Sequence, residues 1–318
     1  MAENGSVVVL AGGTGGAKLA RGMLDVVGAD RLTVVANTGD DIEIHGGYVS
    51  PDPDLVTFWL ADRIDARGWG LEGDSFTVME MLRELGEEVW FNLGDEDLAI
   101  ALRRAAAMRD GMRLTEAQAL IAAHLAALGQ VLPMSDNPVR TRVMADRRWW
   151  SLQEFLIRAR GQGEVEDVQF RGAREAGTTP EVLSAIARAS VIIIGPSNPV
   201  ISIGPMLAID ELRAALMASR VPVVAVSPIV GGAVLKGPTA SFMRHRGVEV
   251  SAAGLVALYD GVIDALVSDE SEELRLPVLR TDLSMDGAES RRRLAHETLE
   301  FAQSVSARPA LPSSFSAE

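Results

Sequence analysis

The 318-residue sequence predicts a doubly wound, mainly parallel α/β sheet carrying a helical insertion. Three observations point there. Apolar runs rich in β-branched residues recur at 7–10, 32–36, 191–194 and 221–226, nearly unbroken, as in strands covered on both faces. The first run passes at once into a Gly-Gly-Thr-Gly-Gly turn and then a helical pattern at Leu19, Met23, Leu24 and Val27, the strand, turn and helix that open such a sheet. With 47% hydrophobic residues and a mean hydropathy of +0.15, the chain can bury a large core.

The remaining elements follow in order. Helical periodicity occupies 78–85, 98–108 and 116–128, with Asp110-Gly111 between the last two, and defines an insertion at about 73–130. Residues 139–145 and 165–171 read as strands around a helix at 152–160, and 180–188 returns to helix before the strand at 191–194. A helix is expected near 206–216, a strand at 276–280 and a closing helix at 288–305. Residues 1–305 are expected to form one domain, and 306–318, rich in Pro and Ser, a flexible tail.

Composition excludes several classes of function. The chain holds 30 basic and 44 acidic residues, a net charge of −14, with no basic tail or stripe, which argues against a nucleic-acid partner. It has no cysteine, so thiolate metal sites, disulfides and cysteine nucleophiles are out. Four scattered histidines (His45, His124, His245, His296) and the lack of G-x-S-x-G or H-E-x-x-H patterns disfavour hydrolase triads and zinc chemistry. The polar start and the short span of the least polar stretch, 117–128 with His124 inside it, predict no membrane association and a cytoplasmic location. Of the basic residues only Lys18 and Lys236 are lysine, and both lie in glycine-rich segments.

Four segments carry the chemistry. The first, Gly12, Gly13, Thr14, Gly15, Gly16 and Lys18, has the make-up of an anion cradle at a helix N-terminus. It breaks the Walker A pattern at Ala17 and Leu19 and the G-x-G-x-x-G pattern at Lys18, which disfavours a nicotinamide-dependent oxidoreductase. The second runs from Asn37 through Asp40 and Asp41 to Pro51-Asp52-Pro53-Asp54, four aspartates in a fifteen-residue span after a strand end, oxygen ligands suited to magnesium bound jointly with substrate phosphates. Asx turns and helix caps account for any single one of them. The third, Ser197, Asn198 and Ser202 among prolines and glycines, is a stiff loop presenting hydroxyls and an amide. The fourth holds Gly231, Gly232 and Lys236, with lysine as a compact charge for a phosphate. The Leu93-Gly94-Asp95-Glu96-Asp97 and Pro133-Met134-Ser135-Asp136 turns read equally well as caps.

With these segments in hand, the chain resembles the 2-phospho-L-lactate transferase family, which assembles the deazaflavin coenzyme F420. The resemblance spans about residues 7–269 and rests on LAGGTGGAKL, NTGDD, HGGYVSPDPD, WFNLGDEDLA, LPMSDNPVRT, LQEF, GPSNPVISIGP and SPIVGGAVLKGP, all in order. It implies a Rossmann-like fold and a homodimer. It further implies that the ribityl hydroxyl of Fo, the deazariboflavin precursor, attacks a guanylylated organophosphate carrying a phospholactyl, phosphoenolpyruvyl or phosphoglyceryl group and releases GMP. By the same resemblance, Mg2+ is held by Asp40 and Asp54, with Asp41 and Asp52 in reserve. Gly12 to Gly16, Lys18, Ser197, Asn198, Ser202, Gly231, Gly232 and Lys236 hold the guanosine diphosphate portion, and Asn37 and Asn92 contact substrate. Phosphoryl transfer then needs positioning and charge neutralisation more than a strong base.

The sequence departs from the family pattern twice. Leu55 stands where many members have Thr, which moves any hydroxyl contact to Thr57, and Asn92 stands where many have Arg or Lys beside Fo. The rival reading is a non-catalytic nucleotide-sugar-binding regulator of the gluconeogenesis-factor type, similar in its glycine turn; the aspartate segments favour the transferase.

Overall fold

The structure, a computed structural model, describes residues 5–234 and 237–307. It opens with β1 (Ser6–Ala11), α1 (Gly13–Val27) and β2 (Leu32–Ala36). A hairpin of β3 (Ile42–Ile44) and β4 (Gly47–Val49) leads through α2 (Pro51–Leu60), α3 (Thr77–Glu84), α4 (Asp95–Arg109) and α5 (Leu114–His124) to β5 (Gln130–Pro133). Next come β6 (Arg140–Ala145), β7 (Arg148–Ser151), α6 (Leu152–Ile157) and β8 (Val165–Arg171), whose strands form a small antiparallel sheet in the order β7-β6-β8. The chain then runs through α7 (Pro180–Arg188), β9 (Ala189–Ile194), α8 (Gly204–Leu207), α9 (Asp210–Met217) and β10 (Val223–Val226). It ends with the hairpin β11 (Ile229–Val230) and β12 (Ala233–Val234), α10 (Thr239–His245), α11 (Ala252–Leu258), β13 (Ala265–Ser268), β14 (Val278–Arg280) and α12 (Ala288–Ser304).

Seven strands make one sheet, β14-β13-β10-β9-β1-β2-β5, in which every pairing is parallel. The period of two along β1 sorts its side chains between two cores. Val7, Val9 and Ala11 pack with Leu19 of α1 and Leu294 of α12 on one face, and Val8 and Leu10 with Val182, Leu212 and Leu255 on the other. Each such fully buried aliphatic side chain contributes about 2 kcal/mol from burial, which is why the strand runs are unbroken in apolar character. This is the doubly wound, Rossmann-like α/β architecture, and helices α2 to α5 fall between β4 and β5.

Two strands of the sheet lie outside the expected set. β5 and β13 have four residues each and adjoin apolar segments, so neither stands out as a separate run. Asp52 and Asp54, expected in a turn, belong to the first turn of α2, where Pro51 takes a position that needs no amide hydrogen. The helix expected near 206–216 is two, because Ile209 is extended. His45 (φ 52°) and Gly46 (φ 79°) both take the left-handed backbone of a tight hairpin turn, and His45 Nε2 lies 2.9 Å from the Phe91 carbonyl, a structural bond.

Candidate active site

Chain order reverses between β1 and β9, since β2 and β5 build outward on one side and β10, β13 and β14 on the other. The carboxyl ends of β1 and β9 therefore flank the crevice where open parallel sheets take ligands. After β1 the turn is shorter than the glycine run suggests. Gly12 is extended, Gly13 adopts φ +65°, and α1 begins at once, so that Gly13 to Gly16 are its first turn. The Gly12 amide donates to Ser197 Oγ (3.1 Å) and the Gly13 amide to Asp52 Oδ1 (2.5 Å). The amides of Thr14 and Gly15 have no carbonyl a turn behind them, and with the positive end of the helix they form an anion cradle.

This turn packs directly on the Ser197 loop. A Cβ built on Gly15 would lie 2.1 Å from the Pro196 carbonyl oxygen. Gly15→Ala must separate backbone from backbone at an overpacking cost of about 1–3 kcal/mol. The expected result is a thermal midpoint lower by about 5 °C; an unchanged midpoint would show that the two segments separate freely.

All four aspartates are buried. Asp52 and Asp54, two positions apart on α2, point about 200° apart around the helix. Asp52 turns to α1: besides Gly13 it accepts from Asn37 Nδ2 (2.9 Å), which also reaches Asp40 Oδ1 (3.4 Å). Asp40 Oδ2 accepts from Gln153 Nε2 (3.1 Å) on α6. Burial, with Asp52 and Asp41 as like-charged neighbours, pushes Asp40 well above the usual carboxylate range. Burial likewise pushes Asp52 up to about 6 against the bonds from Asn37 and Gly13. It pushes Asp41 up to about 7, although Arg140 and the hydroxyls of Ser50 and Tyr48 pull the other way.

Asp54 has a different partner. Both of its oxygens are gripped by Arg104 of α4, whose side chain is 0% exposed; Nη1 lies 3.0 Å from Oδ2 and Nη2 bonds Oδ1. The same guanidinium donates to the Tyr48 carbonyl (2.9 Å) and to Gln118 Oε1 (3.1 Å) of α5. Gln118 donates in turn to Thr57 Oγ1 (2.8 Å), and Thr57 to the Pro53 carbonyl (2.7 Å), so the hydroxyl near Leu55 is engaged within the protein.

Two cavities meet at Gln153. One, of about 290 Å³, has aromatic walls of Phe58, Trp69 and Phe91, with Asp52, Asp54 and Asp97 among its polar lining. The other, of about 210 Å³, is lined by Asp40, Arg140, Thr141 and Arg142 among others. Asn92 borders the aromatic cavity and accepts from Arg83 Nη2 (2.5 Å), which brings a guanidinium to that rim. Asp95 accepts from the Ser75 hydroxyl and the Thr77 and Val78 amides, capping α3 as expected. Asp97 faces the cavity, where burial and neighbouring Asp54 push it up to about 7.

The structure thus brings together Gly12 to Gly16, Asn37, Asp40, Asp52 and Ser197, with Ser202 only 2.5 Å from a Cβ built on Gly12. Asn198 serves its own loop, its Oδ1 taking the amides of Val200 and Ile201 and its Nδ2 bonding Thr239. Gly231 and Gly232 form the tip of the β11–β12 hairpin, where Gly231 donates to Asp269. Lys18 is half-buried on α1. Lys236 and residues 308–318 of the expected tail lie outside the described residues. Arg104 and Gln153 join the site without having been singled out from sequence, Gln153 hinted at only by the LQEF stretch; in the sequence Asp97 reads as a cap in the acidic turn, and Trp69 as more often a core residue than one facing a planar ligand.

Comparison with known proteins places this arrangement. The family model described as 2-phospho-L-lactate transferase CofD matches residues 7–299. The chain belongs to the 2-phospho-L-lactate transferase family. It is 37% identical over 298 residues to the 2-phospho-L-lactate transferase of Methanosarcina mazei, covering 91% of this chain and 98% of that one. It is 40% identical over 308 residues to that of Methanopyrus kandleri, covering 94% and 98%. A crystal structure of a UPF0052 family protein from Bacillus halodurans shares the fold at 16% identity, with a TM-score of 0.56 over 92% of this chain and 90% of that one. Membership of this transferase family makes the protein a transferase enzyme. Among the described residues no helix is long and apolar enough to cross a membrane.

Proposed function

We propose that this enzyme of coenzyme F420 biosynthesis transfers a phospholactyl, phosphoenolpyruvyl or phosphoglyceryl group from a guanylylated donor to the ribityl hydroxyl of Fo, releasing GMP. The observation that carries the reading is the junction at Asp40, Asn37 and Asp52, where an anion cradle, an aromatic cavity and the cavity beside Arg140 and Arg142 converge. The cradle of α1 suits the donor's diphosphate, and the aromatic cavity suits the planar deazaflavin ring.

Magnesium fits this junction on its chemistry. Among the described residues no three His, Asp or Glu side chains form a metal cage. Asp40 and Asp52 face each other across Asn37, with amide donors as their bonded partners. Two carboxylates are what a cation sharing its shell with substrate phosphates and water needs. The family resemblance named Asp40 with Asp54; because Arg104 occupies both oxygens of Asp54, we assign Asp40 and Asp52 as the pair and Asp54 as a residue of the cavity wall. Bound there, Mg2+ would neutralise charge on the diphosphate. The chain's own groups align the reactants: the cradle amides fix the donor, and the aromatic walls set the ring so that its ribityl oxygen meets the phosphorus. A P–O bond forms to that oxygen, the bridging P–O bond to guanylate breaks, and the hydroxyl proton passes to solvent.

Incubating the purified protein with Fo, Mg2+ and an equal mixture of the three guanylylated donors tests this. The expected mass spectrum contains an Fo phosphodiester with one favoured acid and GMP in equal amount, and EDTA stops its formation. Nucleotide binding without product from any donor would favour the regulatory reading instead.

A further inference from the structure

The cavity of about 210 Å³ beside Asp40 carries two guanidiniums, those of Arg140 and Arg142. Arg142 lines the same space and is held by one bond, from Nε to the Trp150 carbonyl (3.1 Å). Among the described residues no acceptor takes its two Nη groups. Arg140, stacked on the Tyr48 ring and bonded to the Tyr48 hydroxyl (3.0 Å) and the Val139 carbonyl (2.9 Å), adds a second positive charge.

The acids around the cavity do not cancel this. Asp41 is bonded by two hydroxyls and faces Arg140, Asp40 is bonded by Asn37 and Gln153, and Glu43 stands exposed at the rim, where solvent screens it. Arg140 and Arg142, two positions apart on β6, share one face of the strand, and a guanidinium with free N–H groups beside a second positive charge is a donor set for a carboxylate. The cavity also opens beside Asp40, so a group seated in it remains joined to a phosphate at the junction.

We propose that this cavity seats the organic acid of the donor, with its carboxylate taken by Arg142 and with Arg140 supplying charge beside it. The inference rests on the transferase reading for the identity of the acid. It adds a location, since the cradle of α1 handles only the diphosphate end.

Binding can be measured without turnover by titrating the full chain with GDP and with guanylylated 2-phospholactate or phosphoenolpyruvate, in the presence of Mg2+. The wild-type protein is expected to bind at least one acid-bearing donor more tightly than GDP. In Arg142→Gln that advantage falls by about 10- to 100-fold while GDP affinity stays within about twofold. Equal binding of GDP and every donor by the wild type, or a full advantage retained in Arg142→Gln, would overturn the subsite. Tight, acid-dependent binding without any transfer to Fo would keep the subsite and remove the transferase reading.

Discussion

Asp54→Ala and Arg104→Met should each lower the thermal midpoint by about 10 °C, and the double variant should lose little more than either alone. The Arg104 side chain is 0% exposed and that of Asp54 only 11%, so the pair is held out of water. Removing one partner leaves the other as an uncompensated buried charge, which costs about 3–5 kcal/mol. In a chain of this size that corresponds to about 2–4 °C per kcal/mol. Removing both restores neutrality, so the losses do not add. Arg104→Met carries a further effect, because the guanidinium also binds Gln118 and the Tyr48 carbonyl and so ties α4 and α5 to the helix bearing Asp52. Melts of the four proteins followed by circular dichroism decide the matter. Additive losses would mean that the two residues stabilise the fold independently.

The same pair illustrates how far the sequence could be read. The strand at 32–36, the strand at 165–171 and the helix at 180–188 match the expected bounds, because apolar runs, capping residues and proline mark them locally. Arg104 was hidden in an Arg-Arg pair on a helix with little apolar contrast. Its position was nonetheless encoded: Leu98, Ala101, Arg104 and Ala107 share the buried face of α4 at a spacing of three, and a charge on such a face implies a buried partner. The identity of that partner was not legible, since Asp54 lies 50 residues away and its direction depends on the helical turn begun by Pro51. The candidates around the glycine turn were readable because strand ends in a parallel sheet converge by topology. Which aspartate faces which neighbour depends on helix phase, and a Pro-Asp-Pro-Asp string read as a turn conceals that phase.

Asp52→Asn should lower turnover by about 1,000-fold and abolish stabilisation by Mg2+, with the metal-free melting temperature kept within a few degrees of wild type. The rate loss is that expected for removing one charge that fixes a cation at a transferring phosphate. The pH dependence follows from the raised carboxylates. Asp52 is pushed up to about 6 and Asp41 to about 7, so the folded chain retains protons that the unfolded chain releases near the usual carboxylate range. Their contribution to stability is therefore fully present below that range and lost as pH rises to about 6 and then about 7. In EDTA the wild-type protein should weaken across this window. At pH 7.5 a cation at the junction binds the ionised folded form and stabilises it by about 2.7 kcal/mol at a hundred times its Kd. At pH 5 protons compete, and the shift in melting temperature with Mg2+ should shrink. In Asp52→Asn one carboxylate no longer ionises, so the loss across the window is smaller, while an amide facing Asn37 Nδ2 offsets part of that gain. Melts at pH 5 and 7.5, with Mg2+ and with EDTA, check both signs. A shift with Mg2+ that persists in Asp52→Asn, or turnover within tenfold of wild type, would move the cation away from Asp40 and Asp52.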